Sequence, residues 1–110
     1  MKAEDLMIGD WVLLEGEIKQ VQELLYDSIT FDCFPHDYDD VAPIPLTKQI
    51  LSKHFPEYEE GYTIGWWAKG DGFMVEFQND TINVEAKQIR YVHELQHALK
   101  LCRIEKEIIL

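Results

Sequence analysis

A chain of 110 residues, 46% of them apolar, has the size of one domain with one core. Its 21 acids against 10 bases give a net charge of −11, which excludes the basic surface that direct binding to a phosphate backbone requires. No apolar run approaches the roughly twenty residues of a membrane-spanning helix, and Met1-Lys2-Ala3-Glu4-Asp5 puts acids where a secretory leader is apolar, so a cytoplasmic protein is expected.

The opening Leu6-Met7-Ile8-Gly9-Asp10-Trp11-Val12 reads as the entry to a small β-barrel, with a turn at Gly9-Asp10 and an apolar strand from Trp11 to Leu14. Glu15-Gly16-Glu17 supplies the next turn, and Ile18 to Tyr26 the returning strand. From Ile29 to Phe34 the pattern alternates, with Ile29, Phe31 and Cys33 on one face and Thr30 and Asp32 on the other. Cys33 and Cys102 are too few for a disulfide framework and read as small buried apolar residues in a reducing compartment. Asp37-Tyr38-Asp39-Asp40 reads as a solvated acidic loop, without the spacing, central Gly or closing Glu of a calcium loop.

Two prolines hold Ala42-Pro43-Ile44-Pro45-Leu46 extended. Thr47 is placed to cap a short helix to about His54, with Leu46 and Leu51 as a hydrophobic staple. Phe55-Pro56 ends it, and Glu57-Tyr58-Glu59-Glu60 is a second acidic loop. Tyr62 to Ala68 and Phe73 to Gln78 form a hairpin around Lys69-Gly70-Asp71-Gly72. Its core face carries Tyr62, Ile64, Trp66, Phe73, Val75 and Phe77, and Ile82 and Val84 extend that face as a third strand after Asn79-Asp80. Trp67 and Met74 fall on the opposite face. Either the Thr47–His54 helix or the Ile108–Leu110 tail covers them, or Trp67 anchors a contact with a second copy or a partner. The predicted fold is α+β: an SH3-like antiparallel N-terminal β-meander plus a three-stranded antiparallel sheet packed with two helices. It is expected as a single domain over residues 1–110, with lobes of about 1–46 and 47–110.

His93-Glu94-Leu95-Gln96-His97 spells His-Glu-x-x-His, in which two His grip a zinc ion and the Glu deprotonates its water. That makes His93 and His97 candidate metal ligands and Glu94 a candidate catalytic base. Three considerations oppose it. On a helix from Tyr91 to Arg103, Val92, Leu95, Leu99 and Cys102 form the apolar stripe, and His93 and His97 fall beside Lys100 on the expected solvated face. A third ligand is lacking, because Lys100 and Arg103 stand where the longer pattern has Gly and His. His36 and His54 remain as upstream candidates. A pattern with three fixed positions also arises readily by chance. No metal, cofactor or catalytic residue is therefore expected, and both His are expected to be exposed.

Asp5 to Val12, Val41-Ala42-Pro43-Ile44-Pro45-Leu46-Thr47 with Ile50-Leu51, and Ile89 to His97 together resemble a family of small uncharacterised prophage and mobile-element proteins of gut bacteria, of the Bacteroides type. The resemblance spans most of the chain and implies no known activity. In those relatives the helix reads His-Gln-Leu-Gln-Asn where this chain has His93 to His97, so their metal trio is incomplete. The expected function is that of a non-enzymatic accessory or protein-interaction protein, with Trp67 and Met74 as partner-binding residues. The alternatives are an acidic DNA mimic that inhibits a basic host protein and a zinc-dependent hydrolase built on His93, Glu94 and His97. A protein partner or self-association fits this reading; a nucleic-acid backbone or a membrane does not.

Overall fold

In β1 (Trp11–Leu14), Val12 and Leu14 are buried while Trp11 and Leu13 are half-buried, the two-residue alternation of a strand. β1 joins antiparallel β2 (Glu17–Gln20) through Glu15-Gly16, both in the left-handed region at φ 50° and 85°, as a twisted two-residue hairpin requires. The computed structural model that shows this describes residues 1–55, 62–79 and 87–110. The fold is α+β, with three three-stranded antiparallel sheets and two α-helices among the described residues, and the N-terminal strands form a meander that does not close into a barrel. The chain forms two compact units, Met1–Ile44 with Leu110, and Pro45–Ile109.

In the first unit, β3 (Glu23–Leu24), β4 (Ile29–Thr30) and β5 (Pro35–His36) pair antiparallel in that order. β6 (Val41–Pro43) returns to the other side of β1, giving the order β2-β1-β6. Leu6, Val12, Leu14, Val21, Ile29, Phe31 and Val41 form the core. Asp10 is wholly buried, and its Oδ2 accepts the Met7 N–H at 2.8 Å, closing the turn that starts β1. The strands are shorter than expected. Ile18 to Tyr26 divides into β2 and β3, and the alternation from Ile29 stops after Thr30 because the chain bends at 31–33. Cys33 sits at φ 70°, turned out of the ladder, and is exposed rather than buried. The acidic stretch is an ordered turn: Asp37 accepts the Asp39 N–H at 3.0 Å and starts a 3₁₀ turn over Tyr38–Asp40.

In the second unit, α1 (Lys48–His54) begins where Thr47 Oγ1 accepts the Ile50 N–H at 3.3 Å. Leu46, Leu51 and Phe55 are buried. β7 (Tyr62–Lys69) and β8 (Gly72–Asn79) form the expected hairpin, with Ile64 paired to Phe77, Trp66 to Val75 and Trp67 to Met74. Gly72 is required there: a Cβ would lie 2.6 Å from the Ile89 carbonyl oxygen. The third strand is β9 (Lys87–Ile89), pairing with β8. The strand expected through Ile82 and Val84, the Asn79-Asp80 turn at its residue 80, Pro56 and the Glu57–Glu60 loop lie outside the described residues.

α2 (Val92–Leu101) lies against β9 and buries Val92, Leu95 and Leu99; Cys102 is buried at its C-terminus. Each buried Leu contributes about 1.5–3 kcal/mol. The last residues form no strand; Ile104 and Ile108 are buried and Ile109 is exposed. No described helix is long and apolar enough to cross a membrane.

Candidate functional site

His93 is buried, contrary to the expectation of a solvated His pair, while His97 is half-buried. The buried surface of α2 is broader than its aliphatic stripe. Gln96 and His93 extend it to roughly half of the circumference at about 100° per residue. The His93 ring stacks on Tyr91, with centroids 5.9 Å apart and planes 14° apart. His97 meets the same ring edge-on at 5.6 Å and 76°. Tyr91, His93 and His97 thus form an aromatic ladder along the helix. Single-sequence periodicity missed this because it counted both His as polar; the neighbouring Tyr91 was the available signal.

Glu94 is the residue that decides what the motif does. As the third residue of α2 it folds back on the helix start, and its Oε1 accepts the N–H of Tyr91 at 3.0 Å and of Arg90 at 3.2 Å. The N–H of the N-cap and that of the residue before it are satisfied by one carboxylate, which also meets the positive end of the helix dipole. The side chain that a zinc hydrolase would use as its base thus has one carboxylate oxygen engaged as a helix cap. Among the described residues no group of three or more His, Cys, Asp or Glu could hold a metal ion. An open groove of about 230 Å³ runs between β9 and α2, lined by Gln88, Ile89, Glu94, His97, Ala98 and Leu101.

The other upstream His residues are also engaged. His36 packs against Phe31 in the first unit, with ring centroids 5.9 Å apart. His54 is buried at the end of α1: its Nδ1 lies 2.8 Å from the Ile50 carbonyl oxygen, and its Nε2 lies 3.1 Å from the Ile109 nitrogen and 3.2 Å from the Ile109 carbonyl oxygen. Nearby, Lys106 lies over the Phe55 ring at 5.2 Å, and desolvation there holds its amine below the usual lysine range.

The partner-binding candidates stand differently. Trp67 is 47% exposed, and Met74 beside it is half-buried. Register places Trp67, Met74 and Gln88 in one row across β7, β8 and β9. Gly65, two residues before Trp67 and on the same face, is exposed with nothing within 4 Å of where a Cβ would stand. An indole and an open notch therefore sit side by side on one strand. Comparison with protein-family models, curated proteins and solved structures finds no match to this chain.

Proposed function

We propose that this chain is a non-enzymatic, cytoplasmic interaction protein of the mobile-element type its sequence resembles, and that it associates with a second copy of itself through Trp67 and Met74. The observation that carries this reading is the half-exposed Trp67 next to the open notch at Gly65. A two-fold contact is self-complementary: residue i meets j and j meets i. Two such faces, related by a two-fold axis, would place each Trp67 over the other's Gly65, with Met74 as the adaptable neighbour. The capping role of Glu94 supports the non-enzymatic part, since it leaves the His-Glu-x-x-His stretch a structural explanation. Sedimentation of wild type, Trp67→Ala and Gly65→Val tests the reading. The expected result is a dimer that becomes monomeric in both folded variants. A monomeric wild type, or a dimer indifferent to both substitutions, overturns it.

A further inference from the structure

The charge of this chain is concentrated in its first unit. Residues 1–44 hold eleven acids against Lys2 and Lys19, a side-chain balance of −9 out of −11. Asp10 is buried and the other ten acids are exposed. Both cations are already committed within the unit. Lys19 Nζ donates to Asp32 Oδ2 at 3.1 Å and lies 3.8 Å from Glu17, and Lys2 lies 4.0 Å from Glu4. The Asp32 hydrogen bond and charge hold the Lys19 amine above the usual lysine range.

The same unit carries an apolar sheet face that its own core does not use. Val12, Leu14 and Val41 turn inward, so Trp11 and Leu13 point the other way. Register places Ile18 of β2 and Ala42 of β6 directly on either side of Leu13. The outer row Ile18–Leu13–Ala42, with Trp11 two residues along, is thus continuous across all three strands. Ile18 is 51% exposed, Ala42 is exposed, and Leu13 and Trp11 are half-buried. Outward-facing positions of a half-solvated antiparallel sheet are normally polar.

From the apolar row and the net negative charge of the unit that carries it, we infer that the outer face of the β2-β1-β6 sheet docks a Lys/Arg-rich segment of a partner protein that also presents aliphatic side chains. Charge complementarity selects this occupant. A second copy would bring another −9 to a unit that is already acidic, and an acidic or neutral segment would leave the excess of acids over Lys2 and Lys19 uncompensated. The aliphatic row confines the segment to this face, whereas charge alone would hold it anywhere on the unit. This surface is independent of the Trp67 face.

The test titrates an amphipathic Lys/Leu peptide into the full chain by calorimetry, against a Lys/Ser peptide of equal charge and a Glu/Leu peptide. The Lys/Leu peptide should bind, the Glu/Leu peptide should not, and the Lys/Ser peptide should bind about tenfold more weakly or worse. Ile18→Thr keeps a β-branched residue on the strand and should weaken Lys/Leu binding about tenfold. Trp67→Ala should leave it unchanged, which separates this surface from the one proposed for self-association. Raising salt from about 0.05 M to about 0.5 M should weaken binding as the screening length shortens. Equal binding of the Lys/Leu and Lys/Ser peptides, no loss in folded Ile18→Thr, or no Lys/Leu binding overturns the inference. Should Ile18→Thr fail to fold, Ala42→Asn carries the same expectation and the same refutation.

Discussion

Replacing Glu94 separates its two possible roles. In Glu94→Ala the N–H groups of Arg90 and Tyr91 lose their shared acceptor, which holds them at 3.2 and 3.0 Å. Loss of one capping interaction costs about 1 kcal/mol, and removing an acid from the first turn of a helix a further 0.3–1 kcal/mol or so. Glu94 is half-buried, so water replaces it only in part. The expected loss is therefore about 1–2 kcal/mol, read as a lower urea midpoint at unchanged slope. Glu94→Gln keeps an oxygen acceptor and loses only the charge, so it should cost about 0.5 kcal/mol. A catalytic base behaves differently: its removal abolishes hydrolysis and leaves stability unchanged or raised. If both variants unfold at the wild-type midpoint, the capping role is wrong and the zinc reading regains its footing.

Leu99→Ala should cost about 2–5 kcal/mol in denaturant melts, because Leu99 is buried in α2, while His97→Ala should cost under about 1 kcal/mol. His93→Ala should fall between them, at about 1–2 kcal/mol, since it removes a buried ring stacked on Tyr91; a cost equal to that of His97→Ala would show the stack contributes nothing. A small thiol reagent should label Cys33 at once in the native protein and Cys102 only on unfolding, as exposed and buried thiols do; equal rates would contradict the turned-out geometry at φ 70°.

Much of the second unit was legible because each of its signals is local. A hydroxyl three residues before a backbone N–H defined the start of α1 at Thr47, and the Gly70-Asp71 turn set the hairpin register. The Val92, Leu95, Leu99 and Cys102 stripe also matched burial. The first unit was harder. Its two-residue strands, β3 to β5, are too short for alternation to declare itself, and a positive φ at Cys33 is invisible in residue identity. The metal motif misled in a specific way. Hydropathy treats His as polar and sends it to solvent, but an imidazole beside Tyr91 buries as an aromatic ring. Glu94, by contrast, stood three residues after Tyr91, the spacing of a cap, in plain view.

The imidazole of His54 joins the first helix of the second unit to its last residues, 55 positions apart in sequence. Closing so long a loop is a slow, entropically costly event, and little rewards it until the intervening strands are in place. The Ile109 amide should accordingly exchange with solvent only when the unit opens as a whole, which makes it a reporter of cooperativity rather than of local fraying. The ring should thus act as a clasp, set late in folding and released only with the rest of the unit.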